Sequence, residues 1–245
     1  MTVASGPAEP DSLGQSQSLG GGPVRAAAGA ASSPLRIVHP HRDVDLAAAE
    51  EAAAAFLSAL GMDLTAESTQ ETPRRMAAAY AEMFSPRPFD LTTFPNDQGY
   101  DELVLARSIP VQSVCEHHLL PFIGVAHVGY LPGERIVGLS KLARVVEMFA
   151  RRPQVQERLT QQIADWLQAE LSPRGVGVVI EAEHLCMSVR GVRSAGTSTV
   201  TSALHGLLRD RPESRAEFLA LATTGIHQAS QPPGSPVEPA TTATE

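Results

Sequence analysis

The stretch VGVVIEAEHLCMSVR, residues 176–190, decides which fold and which chemistry this sequence can support. It is typical of one long β-strand, in which successive side chains point to opposite faces. One face carries three apolar residues and then four functional groups: Val178, Ile180, Ala182, His184, Cys186, Ser188 and Arg190. We therefore expect this strand to begin in the core and to end in a functional site.

A second cluster of functional groups lies in SVCEHHLLPF, residues 113–122. Cys115 and His118 are separated by two residues, a spacing that lets both side chains reach one ion if the backbone turns. Together with Cys186 they offer two thiols and an imidazole, a soft ligand set that suits Zn²⁺. Three protein ligands leave a coordination position for water, which is typical of catalytic rather than structural zinc.

Other interpretations of the two cysteines stay open at this point. A buried free cysteine is often only a small apolar residue, and an oxidising compartment would favour a disulfide between Cys115 and Cys186. A Cys–His nucleophile pair is a third possibility, but it leaves one cluster unused. Because both cysteines lie beside histidines, we favour the metal site, with His117 and His184 as neighbours that move protons.

Composition limits the classes of function. The net charge of −8 argues against a general nucleic-acid binder, although a small anionic ligand is compatible with locally gathered cations. No apolar run approaches the roughly 20 residues of a membrane span, and the N-terminus lacks the pattern of a signal peptide, so we expect a cytoplasmic protein without a membrane partner. Lys141 is the only lysine among 19 basic residues.

The chain divides into three parts by composition. Residues 1–38 and 228–245 are rich in Gly, Ala, Ser, Pro and Thr, and we predict that both are disordered tails. Residues 39–227 are predicted to form one folded domain.

Hydrophobic periodicity within this domain predicts helices in pairs and strands in hairpins, which is typical of an α+β fold with an antiparallel sheet. Thr72 is the expected N-cap of the second helix, and Pro153 is expected to start the fourth. The predicted helices cover 44–61, 72–84, 140–152, 153–171 and 213–222, and the predicted strands cover 102–114, 122–131, 135–139, 176–190 and 198–204.

Several motifs in this order resemble the GTP cyclohydrolase I family. The resemblance runs roughly from residue 43 to residue 221. The motifs are TPRR (72–75), CEHH (115–118), GLSK (138–141), QVQERLT (154–160), HLCMSVRG (184–191) and TSTVTS (197–202).

The resemblance implies a zinc enzyme that hydrolyses GTP at C8, releases formate and rearranges the ribose to give 7,8-dihydroneopterin triphosphate. This is the first step of folate or tetrahydropterin biosynthesis. The implied fold is the T-fold, in which antiparallel sheets and helix pairs of several subunits form a toroid. The implied partner is the chain itself, as a homodecamer with active sites at subunit interfaces.

The resemblance also implies roles for individual residues. Cys115, His118 and Cys186 match the zinc ligands. His184 matches the residue that protonates guanine N7, His117 the one that assists at the zinc water, and Ser140 a hydroxyl that acts at the ribose. Glu157 matches the carboxylate that holds guanine, with Gln156 beside it, and the matches to phosphate-binding positions are Arg75, Lys141, Arg144 and Arg190. Glu116 is left as a supporting residue without an assigned partner.

Two other hypotheses accompany this one. A paralogue could keep the chemistry and serve a secondary pathway such as deazapurine synthesis, where the first product is shared. A scaffold stabilised by zinc would need no turnover, but the presence of His117, His184 and Glu157 argues against it.

Overall fold

The computed structural model describes residues 35–37 and 44–223. The predicted tails, 1–38 and 228–245, lie outside the described residues except for 35–37, which form a strand. The strands are β1 (Leu35–Ile37), β2 (Phe89–Leu91), β3 (Thr93–Pro95), β4 (Val104–Cys115), β5 (Pro121–Leu131), β6 (Arg135–Val137), β7 (Pro153–Gln154), β8 (Gly175–His184) and β9 (Ser198–Gly206). The helices are α1 (Leu46–Ala59), α2 (Thr72–Met83), α3 (Leu139–Ala150), α4 (Gln156–Leu171), α5 (Leu185–Ser188), α6 (Leu207–Asp210) and α7 (Pro212–Thr223).

A five-stranded sheet organises the fold, with strand order β7-β4-β5-β8-β9. The pairs β4–β5, β5–β8 and β8–β9 are antiparallel, and only the short β7 runs parallel to β4. Two small antiparallel sheets, β1–β2 and β3–β6, lie outside it. The predicted α+β class with an antiparallel sheet is confirmed.

The main core lies between one face of the sheet and the paired helices α3 and α4. Strand residues such as Phe122 and Ile180 and helix residues such as Leu142 and Leu159 are fully buried there. A smaller cluster on the opposite face surrounds Phe218 of α7. Strand alternation produces these two faces, because neighbouring residues of β5 and β8 face opposite clusters.

Glycine at one position of β8 is required by this second cluster. A Cβ on Gly177 would lie 2.7 Å from the ring of Phe218, closer than carbon atoms approach each other. The absence of a side chain there lets α7 pack directly on the sheet.

Two predicted helix starts are corrected by the structure. Glu71, not Thr72, is the N-cap of α2, since Thr72 is already helical. Pro153 does not start a helix: it pairs with Val114 in the β7–β4 ladder, and α4 begins only at Gln156. Pro153 and Gln154, which periodicity assigned to the helix, therefore belong to the sheet.

The predicted strand 176–190 is wrong beyond His184. β8 ends there, and the short helix α5 follows. The Ser188 hydroxyl donates to Glu183 Oε1 at 2.6 Å and lies 3.1 Å from the His184 carbonyl oxygen, which folds the chain back. Cys186, Ser188 and Arg190 consequently do not continue the strand face of Ile180.

Among the described residues, no helix combines the length and the apolar character that crossing a membrane requires.

Candidate metal centre and active site

The end of β4 and the turn after it bring a thiol and two imidazoles together. Cys115 is the last residue of β4, and the turn is closed by Leu119 N donating to Cys115 O at 2.8 Å. Leu119 has a φ of 54°, a left-handed conformation that reverses the chain. Cys115 Sγ lies 3.7 Å from His117 Nδ1 and 3.9 Å from His118 Nδ1.

The second thiol comes from α5. Cys115, His118 and Cys186 each place one potential ligand atom within 4.8 Å of the others. Although the chain turns into α5 after β8, Cys186 therefore still lies beside the turn after β4. Both cysteines are buried free thiols, whereas His118 is exposed. Burial raises the pKa of Cys186, and the neighbouring Cys115 raises it further.

This donor set fits a soft divalent cation. Two thiolates would repel each other in this buried pocket, and a cation between them removes that repulsion. Two sulfur atoms and one imidazole nitrogen are ligands that Zn²⁺ prefers.

His184 lies beside this group at the end of β8. Its ring stacks on Phe122 with a centroid distance of 4.7 Å and an interplanar angle of 12°. Its Nε2 is 2.8 Å from Oε1 of Gln156, the first residue of α4. Burial lowers the pKa of His184, and the negative charge of Glu157 acts in the opposite direction.

Glu116 has a partner that its position in the sequence did not indicate. Its carboxylate forms an ion pair with Arg158 in the first turn of α4. The hydrogen bond from Arg158 lowers the pKa of Glu116. Arg158 Nε also donates to Gln154 Oε1 at 3.1 Å, and Glu116 N donates to Gln154 O at 3.0 Å. These contacts fasten the turn after β4 to the start of α4.

Among the predicted phosphate-binding residues, which are all described, Arg190 is the one that contacts a candidate metal ligand. Its Nη1 lies 3.3 Å from His118 Nε2. This contact places the positive charge of Arg190 beside the candidate metal ligands.

Ser140 and Lys141, two further predicted site residues, lie at the end of α3 that is far from Cys115. Ala150, at the end of α3, accepts a hydrogen bond from Ser113 at 2.6 Å, so that end of α3 lies beside the end of β4 that carries the candidate ligand Cys115. Ser140 and Lys141 lie at the opposite end of α3, and ten residues of helix span about 15 Å.

Arg144 and Arg75 complete the set of predicted cations. Arg144 Nη1 is 3.2 Å from Glu147, which also accepts from Arg87 at 2.6 Å. Arg75 is exposed on α2. One chain thus groups the ligands with His117, His184, Glu157 and Arg190, and it holds Ser140 and Lys141 apart from them.

Comparison with known proteins adds to this geometry. A sequence profile described as GTP cyclohydrolase I matches residues 49–223. The chain belongs to the GTP cyclohydrolase I family. It is 53% identical over 199 residues to "GTP cyclohydrolase 1" of Mycolicibacterium paratuberculosis, an alignment covering 79% of this chain and 98% of that protein.

Two further relatives of the family give the same picture. The protein named GTP cyclohydrolase 1 of Aquifex aeolicus is 52% identical over 73% of this chain and 97% of its own length. That of Streptomyces avermitilis is 55% identical over 71% of this chain and 88% of its own length.

In this member of the GTP cyclohydrolase I family, sequence reasoning missed the residues that hold the site in place. Phe122 lies under His184, and Gln154 and Arg158 hold the turn after β4. Gln156 is 1% exposed, with its amide directed into the protein rather than outward. Alternation along β5 would have placed Phe122 on the core face. No sequence spacing, however, pairs Glu116 with Arg158, 42 positions later.

Proposed function

We propose that this chain is an active GTP cyclohydrolase I, which converts GTP and water into 7,8-dihydroneopterin triphosphate and formate, the first step of folate or tetrahydropterin biosynthesis. The observation that carries the proposal is the grouping of Cys115, His118 and Cys186 with two further imidazoles. A purely structural metal site has no need of those imidazoles.

Cys115, His118 and Cys186 would hold a zinc ion. When bound, the ion supplies Lewis-acid activation of water for attack at C8 of the guanine. The two thiols and the imidazole of His118 keep it in place at the end of β4, where α5 closes the pocket.

The remaining residues of the site bind the base and move protons. Glu157 is exposed in the first turn of α4 next to His184, where its carboxylate can accept from guanine N1 and the exocyclic amine. Acceptance of two N–H donors favours guanine over adenine. His184 would protonate N7, and His117, 3.7 Å from Cys115 Sγ, would transfer protons as the imidazole ring of guanine opens.

A second copy of the chain would complete the phosphate and ribose subsites. Arg190 contacts His118, whereas Ser140 and Lys141 lie at the far end of α3, about 15 Å along the helix from Ala150, and a second copy of the chain would bring its own Ser140 and Lys141 to the GTP. Arg144 and Arg75 would join Lys141 around the triphosphate.

Open sheet edges and exposed apolar side chains support a toroidal T-fold homodecamer. β9 is an edge strand, and β7 covers β4 only at Val114 and Cys115, so each chain presents two strand edges that a neighbour could extend. Phe56, Leu60 and Leu139 are 55%, 70% and 67% exposed, which is typical of surfaces covered by another subunit.

Turnover and metal binding test this proposal together. Purified protein loaded with zinc is incubated with GTP, and pterin fluorescence is followed after oxidation and dephosphorylation. We expect pterin from the wild type, no pterin and no stoichiometric zinc with Cys186→Ser, and retained zinc without turnover with His184→Ala. A wild-type oligomer that holds zinc and forms no pterin contradicts the proposal, and equal loss of zinc in both variants contradicts the ligand assignment.

A further inference from the structure

We propose that Gln156 is a positioning residue that fixes the tautomer of His184, so that Nδ1 is the ring nitrogen that exchanges a proton with the substrate. The inference rests on the proposed function, because the proton has a destination only if the chain turns over GTP. It gives Gln156 a different role from guanine binding beside Glu157, which the family resemblance implies.

The orientation of the Gln156 amide is determined by the backbone around it. Nε2 lies 2.9 Å from the carbonyl oxygen of Thr199 on β9 and 3.1 Å from that of Ile180 on β8. Carbonyl oxygens only accept, so the amide atom that faces both of them must be the NH₂ group. The amide oxygen therefore points the other way, toward His184.

The hydroxyls of Thr160, which is buried, and Thr201, which is half-buried, agree with this orientation. Thr160 Oγ1 donates to the backbone carbonyl of Gln156 at 2.8 Å and lies 2.6 Å from Thr201 Oγ1. The single proton of Thr160 is used in the first bond, so Thr201 donates to Thr160 and turns a lone pair toward Gln156 Nε2 at 3.1 Å, where two N–H hydrogens are shared among this oxygen and the two carbonyls. A flipped amide would leave two carbonyl oxygens facing an oxygen atom in the interior, which buried polar groups do not tolerate.

The fixed amide oxygen determines where His184 carries its proton. Nε2 of His184 is 2.8 Å from Oε1 of Gln156, and that oxygen has no hydrogen to donate. Nε2 must therefore be the protonated nitrogen, and in the neutral ring the lone pair is on Nδ1. Stacking on Phe122 holds the ring plane, and a ring flip would place a carbon against the amide oxygen.

This arrangement suits a residue that gains and loses a proton in each cycle. The Nε2–H bond to Gln156 persists in the neutral and the protonated ring, so the buried amide keeps its partner throughout. The transferred proton joins Nδ1 and leaves from Nδ1 to the guanine nitrogen, with no other bond of His184 changed. Gln156, 1% exposed, takes part without touching the substrate.

Solid-state ¹⁵N NMR of the zinc-loaded oligomer, labelled at histidine, reads the tautomer directly. The His184 signals are identified by their loss in His184→Asn, at about pH 8, where an imidazole is neutral. We expect a protonated Nε2 and an unprotonated Nδ1 in the wild type. Gln156→Met should mix the tautomers and lower kcat by about 100-fold, the lower end of what acid–base catalysis contributes. KM for GTP should change by less than about threefold, because no ground-state contact is lost.

Gln168→Met is the matched control. Gln168 also lies on α4, but its amide Nε2 lies 3.4 Å from Pro173 O at the other end of the helix, so the His184 signals should stay as in the wild type. A wild-type His184 protonated at Nδ1 overturns the inference, and this result needs no variant to fold. A Gln156→Met protein with raised KM and unchanged His184 signals also overturns it in favour of guanine binding. If the wild type shows the expected tautomer and forms no pterin, the proposed function fails and the hydrogen-bond assignment stands.

Discussion

His127 is a buried ionisable residue that the active site does not use. Its side chain is 1% exposed on β5, and neither ring nitrogen has a hydrogen-bond partner among the described residues. Burial lowers the pKa of His127, the positive charge of Arg107 lowers it further, and Glu181 acts in the opposite direction. The folded protein therefore holds this ring in its neutral form.

Replacing His127 by leucine should raise the stability of the protein, most clearly in mild acid. Below about pH 6.5 the unfolded chain binds a proton at His127 that the folded chain resists, so the wild type loses free energy of unfolding as the pH falls through this range. Leucine removes this pH dependence. It also removes two buried ring nitrogens that lack hydrogen bonds, and a buried polar group left unsatisfied costs about 1–3 kcal/mol of stability. Urea unfolding at about pH 7.5 and pH 5.5 measures both effects, and identical pH slopes for variant and wild type would show that His127 is not held neutral.

At this scale the sequence predicted which three side chains come together as candidate metal ligands, but not the residues that hold them in place. Cys115, His118 and Cys186 are brought together as the motif spacing suggested. Chemistry-bearing side chains are recognisable from their type, whereas Gln156 and Arg158 act through contacts with residues 28 and 42 positions away, which no local pattern encodes.

At the scale of elements, the end of β8 matters most. Alternation correctly predicted a strand with Val178, Ile180 and Ala182 on the core face, and it predicted a continuation beyond His184 that does not exist. The chain turns into α5 because Ser188 bonds back to Glu183 and His184, and side-chain-to-backbone competition of this kind is invisible to a period-two pattern. The same holds at Pro153, where a two-residue ladder with β4 overrides a helix-start signal.

Ser188→Ala should weaken metal binding without unfolding the sheet. Loss of the bonds to Glu183 and His184 loosens α5 and lets Cys186 move, and supporting residues of this kind typically change metal affinity by about tenfold. Competition with a zinc chelator measures the effect. Ser198→Ala is the control, since the Ser198 hydroxyl on β9 donates at 2.7 Å to Glu181 rather than to Glu183 or His184. Equal zinc affinity in the wild type and Ser188→Ala would contradict this role of Ser188.

At the scale of the whole molecule, the residues predicted to form one active site lie in two separate regions of a single chain. The candidate metal ligands lie near one end of α3, and Ser140 and Lys141 lie at the other. Periodicity identified α1 from residues that include Phe56 and Leu60, but both are exposed in a single chain. A pattern of apolar residues does not say whether the chain itself or a second copy covers them.

Two inactive variants should restore each other's activity if sites are shared between chains. Lys141→Met and Glu157→Gln are each expected to lose most turnover as pure oligomers. Co-expressed in equal amounts, they should regain about one quarter of wild-type activity, because one site in four would draw both intact residues from different chains. Steady-state pterin formation at fixed total protein measures the recovery, and the absence of recovery in mixed oligomers would show that Lys141 and Glu157 of the same chain form the site.

The most direct test of the central claim is the fate of C8 of GTP. Zinc-loaded protein is incubated with GTP carrying an isotopic label at C8, and labelled formate is measured alongside 7,8-dihydroneopterin triphosphate. Formate and the pterin in equal amounts, with neither formed by Cys186→Ser, is the result that the proposed chemistry of Cys115, His118, Cys186 and His184 predicts. GTP left intact by a zinc-loaded wild-type oligomer, or a pterin that retains the label, would contradict it.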